Sequence, residues 1–373
     1  MFDNCKHKWD YVPTTEKECG YEDMMDSLNI ISQEKFKTLS DEEQDRKVQE
    51  VIDIIRTRNI FPVYYFNHKG IIKEIKKVIA KNDVKFCGNI LKTQASQGLL
   101  LLDYLFPNLH FVEAGNATDN CMYKRFYDDV KLGKCLKRHI KAYGKFTNMR
   151  TPFFMYGRFF WNTATNFAPM RAKAIFEQFC PKGGVVYDYS CGFGGRMLGC
   201  LTSKNNYTYI GCEPCSDTYH NLNQLGGYIE EVTKRKNSFI IHQACSEDLQ
   251  LEEGSVDFAF SCPPFYGLER YSDEDTQSIN RHPKYEEWLE HYVRPTIKNC
   301  YDALKDGALY GVDISDICWK NKKYPLVADW CRIAEEEGFV FVDKYSIVSR
   351  ARKDDAESSN TEHVYIFKRD VKV

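Results

Sequence analysis

Nowhere does this sequence approach the unbroken apolar run of roughly 20 residues that a bilayer-spanning helix needs, so no membrane helix is expected. Its first residues, Met1-Phe2-Asp3-Asn4-Cys5-Lys6, lack the apolar stretch of a secretory signal. Neither sign of charge is in surplus: 51 Lys and Arg face 53 Asp and Glu, for a net charge of -2. There is no global positive field to hold a polyanion, so any contact with nucleic acid has to come from a local patch. Paired cysteine spacing is missing too. The 15 cysteines are scattered, and a lone Cys212-Glu213-Pro214-Cys215 has no second pair or histidine pair to complete a zinc site. The expectation is a chain of reduced thiols in an intracellular, cytoplasmic setting (host cytoplasm for a viral protein), with no metal and no membrane. Internal repeats, low-complexity blocks, and helicase or nuclease motifs are absent as well.

What is present supports a sizeable core. The chain has 373 residues, 43% hydrophobic and 14% aromatic, enough for one large or two ordinary domains. Up to Ser40 it is polar and irregular. Asp41 to Arg58 carries Val48, Val51, Ile52 and Ile55 at helical spacing, and Lys69 to Lys81 repeats Ile71, Ile72, Ile75 and Ile79. Ile60 to Phe66 is a short aromatic segment, and Gly98 to Leu105 is apolar up to the break at Pro107. Met122 to Arg150 interleaves Lys124, Arg125, Lys131, Lys134, Lys137, Arg138, Lys141, Lys145 and Arg150 with Tyr123, Phe126, Tyr127, Tyr143 and Phe146. Cations among aromatics suit phosphate contact and base stacking. The competing reading is a solvated helix face with a few core aromatics.

From Asn166 onward strands alternate with helices, which predicts an α/β fold with a mostly parallel, Rossmann-like sheet. Val185 to Asp188, Tyr207 to Glu213, Ser238 to His242, Val256 to Phe260 and Gly307 to Val312 read as successive strands. Phe339 to Val348 and Glu362 to Lys368 read as a closing antiparallel hairpin. The predicted division is a mainly helical accessory region at 1–150 and a catalytic domain at 151–373.

Two stretches carry the chemistry. Val185-Val186-Tyr187-Asp188-Tyr189-Ser190-Cys191-Gly192-Phe193-Gly194-Gly195-Arg196 is a strand, a glycine-rich turn and a helix start. Glycines let the backbone turn sharply and let a ligand lie against bare peptide. The acid just ahead of the turn disfavours a pyrophosphate, which prefers an anion site without a carboxylate beside it. Glu213 ends the next strand, where a carboxylate accepts ribose hydroxyls. The second stretch, Val256-Asp257-Phe258-Ala259-Phe260-Ser261-Cys262-Pro263-Pro264-Phe265-Tyr266, is a strand running into a Pro-Pro-aromatic corner.

Together these stretches resemble the class I S-adenosylmethionine-dependent methyltransferases over roughly Asn166 to Lys368. The closer resemblance is to the DNA amino-methyltransferases, which act on adenine N6 or cytosine N4 and carry Asp, Asn or Ser before Pro-Pro and an aromatic residue. The resemblance implies S-adenosylmethionine as cofactor, held by Asp188, Ser190, Gly192, Gly194, Glu213, Glu247 and Asp248. It implies a reacting corner of Cys262, Pro263, Pro264 and Phe265, with a Pro263 carbonyl accepting from the target amine and Phe265 stacking on a flipped base. Tyr266 and Arg270 are the expected substrate contacts on the loop that follows, and Lys137 and Arg138 those of the N-terminal region, with DNA the expected partner. One position departs from the family: Cys262 stands where the family has Asp, Asn or Ser, and a thiol is a weak acceptor. RNA base methylation, and a cofactor-binding module without catalysis, are the alternatives.

Overall fold

β-Branched and aromatic runs such as Val185-Val186-Tyr187, Tyr207-Thr208-Tyr209-Ile210 and Phe239-Ile240-Ile241 form the strands of a nine-stranded sheet. The computed structural model describes residues 25–58, 61–115, 121–147, 153, 163–348 and 361–370. Residues 1–24, Arg150 and nearly all of the charged segment from Arg350 lie outside the described residues. The strands of the large sheet and of one small hairpin are, in chain order, β1 (Phe86–Cys87), β2 (Ile90–Lys92), β3 (Gly184–Asp188), β4 (Tyr207–Cys212), β5 (Phe239–His242), β6 (Val256–Ser261), β7 (Leu304–Asp313), β8 (Ile317–Trp319), β9 (Lys322–Tyr324), β10 (Phe339–Val348) and β11 (Thr361–Arg369). The large sheet runs β1-β2-β10-β11-β7-β6-β3-β4-β5, and β8 pairs with β9 as a separate hairpin.

Pairing is parallel from β7 through β6, β3 and β4 to β5, while β11 runs antiparallel to both β7 and β10. The chain starts its parallel sheet at β3, moves outward through β4 and β5, then returns to lay β6 on the other side of β3. That reversal makes a crevice at the carboxyl ends of β3 and β6, where sheets of this kind bind ligands. A mostly parallel sheet with this switch point and a C-terminal antiparallel hairpin is the Rossmann-like class I methyltransferase fold.

The helices that position the crevice are α1 (His68–Ala80), α2 (Leu99–Leu105), α3 (Pro169–Phe179), α4 (Gly195–Leu201), α5 (Ser216–Thr233), α6 (285–303) and α7 (Leu326–Glu336). α6 is not uniform. Its middle, Leu289–Val293, is π-helical, and Pro295 follows at once. Proline has no N–H for the carbonyl four residues back, and the wider turn accommodates that loss.

Two compact units share the chain: residues 1–69 with 107–165, and residues 70–106 with 166–373. The division is therefore not a single cut at residue 150. In the first unit the helices Asp41–Arg58 and Asp129–Tyr143 pack together, with Gly133 of the second lying against Val48 and Ile52 of the first. Phe61 anchors an aromatic cluster with His110, Tyr123, Phe126 and Phe153. In the second unit β2 pairs in parallel with β10 and widens the sheet. There Lys173 of α3, 2% exposed, donates to the carbonyls of Val78, Ile79 and Lys81 at 3.1, 3.2 and 2.9 Å. This buried ammonium takes up carbonyls that the end of α1 leaves without helical partners.

Candidate active site

Asp188 closes β3 and is fully buried. Its Oδ1 accepts from the Ser261 hydroxyl at 2.8 Å and the Ser190 N–H at 3.3 Å. Its Oδ2 accepts from Arg196 Nε at 2.7 Å and the Tyr209 hydroxyl at 2.6 Å. A carboxylate offers about four lone-pair sites, so these donors fill it. Of the two roles open to Asp188, orienting the loop or reaching the ligand through water, this geometry matches the first. Arg196 also holds the Ser190 carbonyl, so one buried ion pair pins both ends of the turn.

The turn is tight by necessity. Gly192 and Gly194 have φ of 54° and 74°, the left-handed region that side chains disfavour. A Cβ on Gly195 would lie 1.9 Å from the Phe167 carbonyl oxygen, so α4 starts flush against the segment before α3. Asn166 ties that segment to the turn through the Phe193 carbonyl at 2.7 Å.

Glu213 follows β4 and is buried. Its carboxylate accepts the Gly192 N–H at 3.1 Å and the Cys215 N–H at 2.9 Å, leaving acceptor capacity for a ligand. Burial pushes its pKa up to about 8 against the pull of those two donors. A carboxyl raised on folding stabilises the fold fully below its unfolded value near 4.5, and that contribution is lost as pH climbs through 8. Glu213→Gln is therefore expected to lose less thermal stability than wild type between pH 5 and pH 8. Melting curves at the two pH values check this, and parallel declines would show that Glu213 does not titrate there.

The loop after β5 brings Ser246, Glu247 and Asp248 to the same edge of the sheet. Arg281 binds Glu247 at 2.6 Å and Asp248 at 2.7 Å, and Glu247 is pushed up to about 7 by burial. Arg281 is thus engaged with acids of this site. The π segment of α6 adds a group with no sequence signal. Tyr292 is 3% exposed; among the described residues nothing lies within full hydrogen-bond geometry of its hydroxyl, and the Ser190 and Ser246 side chains are its polar neighbours. Cys212 and Cys215 are separate buried thiols, Cys212 donating to the Ala244 carbonyl.

β6 delivers the Pro-Pro corner beside this turn. Ser261 bonds Asp188, so the corner and the glycine turn are fixed to each other. Cys262 is a free thiol whose pKa burial and Asp313 push well above the ordinary range, which makes it neutral. Phe265 is partly buried against the core. Tyr266 is a correction to the expected substrate contacts. It is 4% exposed, donates to the Pro283 carbonyl at 2.6 Å, and is enclosed by Tyr285, Trp288, Trp319 and Tyr324. The β8–β9 hairpin, turning through Lys320 and Asn321 at positive φ, supplies two of those rings and fixes the loop from beneath. Arg270 is exposed and pairs with Asp273 at 2.9 Å. Nearer the corner, Tyr271 donates to Glu269, whose pKa burial raises.

In the first unit, Lys137 is bound to Asp45 at 2.6 Å and Asp41 at 3.3 Å, while Arg138 is exposed. Arg125 is buried and bonds Thr163, so it belongs to the core of that unit. Lys134 and Lys145 are exposed. The basic run is thus partly neutralised by acids of its own unit.

No family model matches the chain, and no curated protein does. Solved structures do. A TehB-like SAM-dependent methyltransferase from Corynebacterium glutamicum is 13% identical, covering 55% of this chain and 90% of its own, with a TM-score of 0.36. The 1,6-didemethyltoxoflavin-N1-methyltransferase of Burkholderia thailandensis, with S-adenosylhomocysteine bound, is 10% identical over 54% of this chain and 78% of its own, with a TM-score of 0.37. The 4+2 cyclase SpnF is 12% identical over 57% and 86%, with a TM-score of 0.39. The fold assignment rests on strand order and pairing; at these scores the likenesses bear on neither the reaction nor the acceptor.

Proposed function

We propose that this protein is an S-adenosylmethionine-dependent methyltransferase acting on an exocyclic amino group of a nucleobase, adenine N6 or cytosine N4, in DNA. One observation carries the reading: the glycine turn and the Pro-Pro corner lie at the carboxyl ends of neighbouring strands, tied by the 2.8 Å bond from Ser261 to Asp188. A cofactor loop and an acceptor corner joined this way suit transfer between two ligands held at one edge.

The residues present fit the cofactor. Glu213 has acceptor capacity for ribose hydroxyls. Glu247 and the Tyr292 hydroxyl, with Ser190 and Ser246 as its polar neighbours, are the further groups at this edge. A pyrophosphate would meet the carboxyls of Glu213 and Glu247 instead of donors. When bound, the cofactor supplies an electrophilic methyl group. The chain's own part is to bind and orient the acceptor: the Pro263 carbonyl accepts from the amine, and Phe265 stacks on the base. Arg138, with Lys134 and Lys145, is the cationic surface for phosphate contact.

Transfer of labelled methyl to duplex DNA, single-stranded DNA and RNA, followed by nucleoside analysis, tests the reading. The expected result is N6-methyladenine or N4-methylcytosine in DNA, with weaker DNA binding by Arg138→Glu and a salt slope reduced by about 1. Label in RNA alone would move the acceptor to RNA. Cofactor binding with no label in any polymer would leave a binding module.

A further inference from the structure

β7 ends at Asp313, one strand over from the Pro-Pro corner. Parallel pairing sets Ser261 of β6 opposite Val312 of β7, so the next register position sets Cys262 beside Asp313. Side chains level with each other on neighbouring strands stand on the same face of a sheet. Asp313 is 4% exposed, and no donor among the described residues reaches its carboxyl. A buried carboxyl without a partner calls for a physical reason.

Other groups near the corner are already engaged. The Ser261 hydroxyl is bound to Asp188, and Glu269 accepts from Tyr271. The neutral Cys262 thiol is a poor acceptor. We propose that Asp313 is the acceptor for the amine proton, filling the role that the residue before Pro-Pro cannot fill here. This rests on the methyltransferase reading above.

In the step, a bond forms between the amine nitrogen and the methyl carbon. The bond from that carbon to the sulfonium sulfur breaks, its electron pair stays on sulfur, and the proton shed by nitrogen passes to the Asp313 carboxylate. The surroundings fit a group that must switch between charge states. Glu362 faces it from β11, Arg171 from α3, Arg196 from α4 and Cys262 from the corner, while Tyr365, one residue on from Val364 opposite Asp313, lies on the other face of β11. Arg171 is itself paired with Glu362 at 2.5 Å. Burial and the neighbouring Glu362 raise the Asp313 pKa above the ordinary carboxyl range, and the two arginines pull it down. A sulfonium cation arriving nearby would lower it further, so cofactor binding should ionise Asp313 and release a proton.

The experiment compares wild type, Asp313→Asn and Asp313→Asn with Cys262→Asp. Asparagine is close in shape to the neutral acid, and melting curves confirm that the variant folds. Calorimetry of S-adenosylmethionine binding at pH 7.5, in buffers of different ionisation enthalpy, should show greater proton release by wild type than by Asp313→Asn. Single-turnover methyl transfer should fall by about 10²–10⁴-fold in Asp313→Asn, the usual scale for losing a positioned base. Placing Asp at position 262 should restore at least about a tenth of the wild-type rate on the same scale. Equal proton release and equal transfer in wild type and Asp313→Asn would overturn the assignment alone. Failure of wild type to transfer to any amine would instead remove the methyltransferase reading, and the assignment with it.

Discussion

Asp188→Asn is expected to destabilise the protein by about 3–5 kcal/mol, the usual cost of breaking a buried ion pair on one side. Arg196 is the reason. Its side chain is 5% exposed and that of Asp188 is 0%, so no water is at hand to replace the carboxylate. The amide keeps one acceptor oxygen, so either Tyr209 or Ser261 would lose its acceptor as well. Cofactor affinity should fall with stability, because the same carboxylate fixes the Ser190 N–H and Arg196 fixes the Ser190 carbonyl. Urea denaturation and cofactor calorimetry measure the two losses. The double variant Asp188→Leu with Arg196→Met should be less destabilised than Asp188→Asn, since it removes both charges together. A single-variant cost below about 1 kcal/mol would place the pair in the range of solvent-exposed ones.

Gly195→Ala should act through space instead of charge. The new methyl would sit 1.9 Å from the Phe167 carbonyl oxygen and 2.6 Å from Asn166 Oδ1. The first of these is backbone, so the segment before α3 must move, and Asn166 would lose its hold on the Phe193 carbonyl. Overpacking of this kind costs about 1–3 kcal/mol, and the displaced turn should weaken cofactor binding. Gly227→Ala in α5 is the control: nothing lies within 4 Å of the new methyl, and the gain in helix propensity should stabilise by up to about 1 kcal/mol. Equal melting temperatures for the two variants would overturn this account of Gly195.

The sheet half was legible because its signals are local. Val185 to Asp188 and Val256 to Ser261 are β-branched and aromatic runs bounded by turn residues, so strand identity follows from neighbours in sequence. The glycine turn was legible for the same reason, since glycine at positive φ is a property of a few consecutive residues. The β8–β9 hairpin was not, because its three-residue strands lie below the length at which alternation carries information. Residues 70–106 looked like part of the N-terminal region, yet they pack with the sheet, a choice made by contacts such as Lys173 with the end of α1.

The candidate site divides in the same way. The sequence by itself determined the α/β class, the glycine turn, the strand-end acids Asp188 and Glu213, and the Pro-Pro corner, since each is written in adjacent residues. Only the tertiary structure decided what those groups are free to do. It closed Asp188 with four donors, buried Tyr266 among rings drawn from three further segments, and bound Arg281 to Glu247 and Asp248. It also set Asp313 beside Cys262 and turned the Tyr292 hydroxyl toward Ser190 through a π turn. The physical reason is that hydrogen-bond capacity is used up by partners far apart in the chain. Which polar groups remain available for chemistry is settled by register and packing.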